Sequence, residues 1–352
     1  MINIIKNNKV TNLCMLALTC SLLFKPVSAA DSYSVIYLGT LGGSSSKAFD
    51  INNLGVIVGN SSTPNDEELH AVYWENGVIN DLGTLGGTIS TAYSISDTGY
   101  AAGISLTKDN LEAHATVWGF GFMHNLSNDK EDVGSTAYAI NQSGQVVGNS
   151  REGKNNANAT EWSWSLPSIN HSSFPGGKFS YANGINDSGQ IVGNSGSPLS
   201  DARIATLWDV DGNTINLGTL GGSDSFAKDI NEAGQIVGAS LIKDDITTHA
   251  TLWDNHIPSS LGALPDGNYS VAFDINNRSQ IVGVSICQFF LTCATLWEDN
   301  TIVDLNIFLD ERLKELGWLL YFAQAINDNG WIVGTALNYF TGEEQAVVLI
   351  PD

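Results

Sequence analysis

Apolar and polar residues alternate along this chain in short runs, and the runs come in groups of four. One group comprises residues 227–231, 235–240, 249–253 and, more weakly, 257–261. Alternation with period two over runs this short predicts β-strands with one buried face. The first two runs are joined by Asn231-Glu232-Ala233-Gly234, a tight loop whose glycine can take positive φ. The last two are joined by turn-forming residues after a tryptophan, as in Trp74-Glu75-Asn76-Gly77. Nothing before residue 300 sustains a helical period. Residues 309–316, LDERLKEL, predict one short helix, either a plug over a seam in the fold or a docking helix for a partner.

The groups repeat. The pattern A-x-x-I-N places its isoleucine at Ile51, Ile95, Ile140, Ile185, Ile230, Ile275 and Ile326, in steps of 44, 45, 45, 45, 45 and 51 residues. Eight residues after each stands a glycine: Gly59, Gly103, Gly148, Gly193, Gly238, Gly283 and Gly334. About 23 residues after each comes Trp74, Trp118, Trp162, Trp208, Trp253 or Trp297, with Leu349 in the last copy. Four short antiparallel strands per ~45 residues is the blade of a β-propeller. The last copy holds three runs, 323–327, 331–337 and 345–350, while residues 33–40 look like a fourth strand without a blade. Pairing the two would close a ring and cover two open edges, whereas an open solenoid would need capping repeats. The fold expected is therefore all-β: a seven-bladed propeller over residues 30–352, closed by its N-terminal strand.

The segments DLGTLGG (81–87), NLGTLGG (216–222), INxxGQIVG and HATxW resemble the HAF repeat of exported bacterial proteins. So does the closing run from Gly317-Trp318 through Ile332-Val333-Gly334, and the likeness spans residues 33–352. Residues 125–134 lack the LGG turn, Ser279 replaces a turn glycine and Ser96 replaces the motif asparagine. The resemblance implies an extracellular or surface-exported repeat protein. It supplies no activity and no catalytic residue.

Residues 1–29 read as a secretory signal: Lys6 and Lys9, an apolar run over 13–24 too short for a bilayer, then Val27-Ser28-Ala29 for cleavage after Ala29 or one residue later. Cys20 fits a lipid-attachment box poorly. Without the signal, 12 basic residues face 37 acidic ones, a net charge of −25. Such a surface repels phosphate backbones, so nucleic acid is excluded as a partner. No other segment approaches a transmembrane length, and a monomer is expected. Cys287 and Cys293 remain after cleavage; in an oxidising compartment they are expected to form a disulfide, with free thiols as the alternative.

Candidate chemistry is sparse. His70, His114 and His249 each stand 19 residues after their isoleucine, at equivalent places in different blades, so a ring would hold them apart. Local hydrogen bonding is their expected role. His124, His171 and His256 share no spacing. Asp50, Asp229 and Asp274 each precede a motif isoleucine and are expected near the central channel. There they would hold Ca²⁺ or water, act as an acid/base pair on a polysaccharide, or satisfy backbone amides near the turn. Asp209-Val210-Asp211-Gly212-Asn213 starts like a calcium loop but lacks the distal glutamate, and reads as a hairpin turn. The pairs Gly42-Gly43, Gly86-Gly87 and Gly221-Gly222 open no helix and precede no P-loop lysine, so they connect blades. The repeated tryptophans read as packing; Trp164 falls out of register.

The loops between second and third strands (61–69, 105–113, 150–158, 195–203 and 241–248) vary, while the Asn-x-x-Gly turns are nearly uniform. A rigid scaffold with one variable face places binding on that face. Asp66, Glu67, Glu68, Asp109, Glu112, Asp244 and Asp245 make it acidic, which favours a cation, a basic partner or a polar glycan. The function expected is a secreted or cell-surface binding scaffold for a protein or glycan, without catalysis and with Ca²⁺ as a candidate cofactor. The alternatives are a polysaccharide hydrolase or lyase and a purely structural envelope protein.

Overall fold

The computed structural model describes residues 32–119, 121–127, 132–152, 157–163, 168–171, 173, 177–197, 202–265, 267–287 and 291–352. The strand pattern read from the sequence is present throughout. In the first repeat, strands Ser46–Ile51, Ile57–Ser62, Leu69–Glu75 and Val78–Gly83 pair antiparallel in chain order. The same four-strand order begins again at Gly86, Asp132, Ser180, Gly221 and Ser270. The first two sets share one eight-stranded sheet through a single parallel pairing, Leu69 with Ile89. The last set, Trp318–Ile326, Ile332–Asn338 and Glu344–Pro351, takes its fourth strand from the other end of the chain: Tyr33–Tyr37 pairs antiparallel with Glu344–Pro351.

Each first strand touches the first strand of the next set, and Trp318–Ile326 touches Ser46–Ile51. These inner strands lie side by side and line an axial channel. Tight turns join first to second strands at one end of it, and variable loops join second to third strands at the other.

The repeat's landmarks have distinct causes. Every first strand bulges between its alanine and the residue before the isoleucine, as between Ala48 and Asp50. The bulge drives a carbonyl across the sheet at the motif glycine: a Cβ on Gly59 would run into the Lys47 carbonyl oxygen and lie 3.0 Å from the Trp74 ring. That glycine is there for close approach. The alanines are fully buried, and the tryptophans pack between sheets. One such interface sets Val192, Ala205 and Leu207 against Ala227, Ile230, Ile236 and Trp253 of the next sheet.

Small polar groups stitch the interfaces. The serine hydroxyl early in a first strand accepts the third-strand alanine amide of the preceding sheet: Ala71 N–H to Ser90 at 2.8 Å, and likewise Ala115 to Ser135, Ala159 to Ser180, Ala205 to Ser225, Ala250 to Ser270 and Ala346 to Ser46. The predicted helix is shorter than its pattern, Glu311–Glu315, capped by Asp310. Leu305 and Leu309, just before it, are buried with Tyr33 and Leu320, so the insertion plugs the junction at the N-terminal strand. Cys287 and Cys293 are disulfide-bonded. Among the described residues no helix is long and apolar enough to cross a membrane.

Candidate functional site

At the turn end, the residue after each motif asparagine accepts the backbone N–H of its counterpart in the preceding turn. Asn53 N–H donates to Asp97, Asp97 to Gln142, Gln142 to Asp187, Asp187 to Glu232, Glu232 to Asn277, Asn277 to Asp328, and Asp328 back to Asn53, all within 2.7–3.0 Å. Beneath it the motif asparagines donate to backbone carbonyls of the next turn, as Asn186 does to Asn231 and Asn327 to Asn52. Ser96 is too short for this link. Sequence reading missed the outer circuit, although its signal was present: the second turn residue is always Asn, Asp, Gln or Glu. The acids at this end are thus acceptors for amides, around a small cavity of about 160 Å³.

Asp50, Asp229 and Asp274 stand on first strands, and Asp50 and Asp274 line the small turn-end cavity. Their oxygens meet amides: Asp50 accepts from Ile51 at 2.7 Å and Ile95 at 2.8 Å, and Asp274 from Ile275 at 2.8 Å and Ile326 at 2.6 Å. Asp229 accepts from Ile275 at 3.3 Å. Burial pushes the Asp50 carboxyl up to about 6, against the pull of the Ile95 and Ile51 amides. Burial, then the neighbouring Asp229, pushes Asp274 well above the usual carboxylate range. Gly184 supplies the room for Asp229, since a Cβ there would sit 3.0 Å from its Cα. The trio bridges adjacent first strands. Among the described residues no group of three or more His, Cys, Asp or Glu side chains is arranged to hold a metal ion.

The histidines tie third to fourth strands. His70 bonds Asp81 through Nδ1 and Glu68 through Nε2, at 2.9 and 2.7 Å. Burial works against its charged form, but the two carboxylates outweigh burial and raise its pKa. His114 repeats the arrangement with Asn125 and Glu112, and His249 with Ser260. His171 bonds Glu161, His124 lies on strand Phe122–Asn125, and His256 sits in a turn.

The acidic loops are partly spent on their own folding. Asn65-Asp66, Asp109-Asn110 and Asp244-Asp245 all take left-handed backbone conformations. The second residue of each pair clasps the segment after a Gly-Gly: Asp66 accepts from Ser44 N–H, Asn110 from Thr88 and Asp245 from Ser223, at 2.7–2.8 Å. Those glycines connect sheets, as expected; a Cβ on Gly43 would strike Ser62 and Thr63. Glu68 and Glu112 are bonded to histidines. Glu67, Asp109 and Asp244 make no hydrogen bond or ion pair with a described residue and face outward. The segment Asp209 to Asn213 is a hairpin turn closed on the Asp209 carboxylate. Trp164 and parts of the loops 150–158 and 195–203 fall outside the described residues.

The loop end of the channel is different. It opens as a cavity of about 450 Å³ whose walls are aromatic: Tyr138, Tyr181, Phe226, Tyr269, Phe273 and Phe322. Asn183, Asn194 and Thr292 add polar groups between the rings. Two cations enter it. Arg203 lies over the Phe226 ring at 4.7 Å and is already paired with Asp224 at 2.8 Å. Lys228, the bulge residue beside Asp229, reaches to 5.8 Å from the same ring. This cavity shares no lining residue with the one at the turn end.

No family model matches the chain, and no curated protein matches it. Solved structures do. The β-propeller domain of the Trilobed protease from Pyrococcus furiosus aligns with a TM-score of 0.58 over 87% of this chain and 94% of that one, at 11% identity. The fold is a β-propeller. TolB from Acinetobacter baumannii follows at a TM-score of 0.45 and 10% identity, over 84% of this chain and 79% of that one. A putative gluconolactonase follows at 0.41 and 8%, over 92% and 94%. At these identities the likeness reaches the propeller scaffold and no further. The propeller's candidate site is therefore argued from its own residues. Larger apolar clefts lie off the axis, one between the first two blades around Tyr73 and Trp118 and one around Leu264 and Leu319, while the aromatic cavity at the loop mouth is a concave, partly apolar feature on the axis that also carries cations and so suits a charged ligand.

Proposed function

We propose that this chain is an exported, seven-bladed propeller of the HAF-repeat kind that binds a ligand at the loop-side mouth of its channel. Seven in-phase repeats, the pairing of Tyr33–Tyr37 with the last blade and the turn circuit that returns to Asn53 support seven blades in a closed ring. The signal-like residues 1–29 and the Cys287–Cys293 disulfide support export. The observation that carries the binding role is the contrast between the two ends of the channel. At the turn end the polar groups are consumed by one another. At the loop end a cavity of about 450 Å³ presents aromatic faces and an amine.

The binding role is tested with fractionated envelope and surface material, with Ca²⁺ and with chelator. Saturable binding is expected to the wild type and to Asp97→Asn on the turn face, and to be lost in Asn183→Trp, which fills the loop mouth. Binding that survives Asn183→Trp would overturn the location; absence of any saturable binding would overturn the role and favour a structural envelope protein. Loss on chelation would show that the binding needs a divalent cation.

A further inference from the structure

We propose that the loop-side cavity receives the terminal uronic-acid residue of an acidic polysaccharide, with Lys228 as the counter-ion of its carboxylate and the surrounding rings as the platform for its sugar face. This rests on the reading that the ligand binds at the loop mouth, and adds the chemical class of that ligand.

The first observation is position. Lys228 sits at the bulge of strand Gly221–Ile230. The matching bulge residues of the other repeats are Phe49, Tyr93, Tyr138, Asn183, Phe273 and Gln324. Lys228 is thus a single cation in a tier of uncharged side chains, several of them aromatic.

The second is its isolation. The Lys228 ammonium makes no ion pair or hydrogen bond with any described residue. Arg203 adds a second positive charge nearby, and the carboxylate of Asp224 is already engaged by that guanidinium through three contacts of 2.8–3.2 Å. Burial first, and Arg203 second, push the Lys228 ammonium below its ordinary value. The described contact of this half-buried ammonium is the Phe226 ring, 5.8 Å away, so it lacks an anion to offset its desolvation. A carboxylate entering the cavity would supply the missing partner. In a chain with net charge −22 there is no general attraction for anions, so a carboxylate would be held here by Lys228, the cation whose charge no carboxylate of the cavity offsets.

The third is the wall. Tyr138 and Tyr269 leave 36% and 40% of their surface open, so their rings are available to a ligand. Aromatic faces pack against the C–H face of a sugar ring, and the interspersed Asn183, Asn194 and Thr292 meet its hydroxyls. Asn183 already donates to the Ala227 carbonyl at 2.7 Å, so the groups a wholly aromatic carboxylate would leave unmet are Asn194 and Thr292.

The test uses the purified full chain and calorimetric titration with digalacturonate, with digalactose of the same linkage, and with benzoate. Digalacturonate is expected to bind at least tenfold tighter than either comparison, and to weaken as NaCl is raised from about 20 to 300 mM. Lys228→Met should cut digalacturonate affinity at least tenfold while leaving the melting temperature equal or higher; Lys228→Arg should retain binding. Affinity within twofold in Lys228→Met would overturn the proposal, as would benzoate or digalactose binding as well as the uronide, or no binding of any. If Lys228→Met does not fold, salt-insensitive uronide binding by the wild type would overturn it equally. Saturable binding of another fraction at the loop mouth without uronide preference would overturn this ligand and leave the loop-mouth reading standing.

Discussion

Gly238 and Gly212 show two different reasons for a glycine. Gly238 faces the bulge, where a Cβ would run into the Phe226 carbonyl oxygen and 2.9 Å from the Ala227 Cα. Gly212 has open space around it but a φ of +80°. Gly238→Ala is therefore expected to cost about 3–5 kcal/mol and Gly212→Ala about 1 kcal/mol, read from urea unfolding. Comparable losses would show that the bulge yields. Asp50 and Asp274 make a second prediction. Their folded pKa values are raised, so folding takes up protons where the folded carboxyl is protonated and the unfolded one is not. For Asp50 that window runs from its ordinary 3.8 up to about 6, and stability falls as pH rises through it. Asp274, raised further by Asp229, extends the loss upward. The melting temperature should be higher at about pH 5 than at about pH 8 at constant ionic strength. Asp274→Asn should shrink that difference; an unchanged difference would remove the buried pair as its cause.

At the scale of strands and loops, two closures differ in weight. Cys287 and Cys293 close a loop with a sequence separation of 6, so replacing both by serine is expected to cost roughly 2 kcal/mol by the loop-entropy argument. The N-terminal strand matters more. It covers Glu344–Pro351 and brings Tyr33 into the core beside Leu305 and Leu309. Deleting residues 33–38 should expose an edge of eight residues and produce aggregation, detected by light scattering, at temperatures where the disulfide variant stays monodisperse. Strands and their order were legible in the sequence because each landmark answers to a copy of itself: the alanine, the glycine opposite its bulge and the tryptophan beyond it must all recur for one sheet to fit the next. The short helix was legible only in outline, since Leu309 looks like part of the amphipathic run but is drawn into the core ahead of it.

For the whole molecule, legibility ends where meaning depends on what surrounds a residue once the chain has closed. The turn circuit was hidden because its acceptors are a chemical class, spread over four residue types. The acids of the variable loops looked free, yet Asp66 and Asp245 are clasps and Glu68 and Glu112 partner histidines. Lys228 occurs once, in no motif, and what singles it out is the lack of a partner in the folded channel. The net charge of −22 was plain from the start and carries its own expectation: self-repulsion should lower stability at low ionic strength, so adding NaCl to about 0.15 M should raise the melting temperature. A flat response would show that the charges are already spaced beyond each other's reach.

The aromatic cavity at the loop mouth is small, about 450 Å³, and shares no lining residue with the polar cavity at the turn end. On the proposal that it takes the terminal sugar of a polymer, chain ends are what it counts. Occupancy would then follow the number of chain ends in solution rather than the mass of polymer, and cutting long chains into short ones would raise it without adding any material.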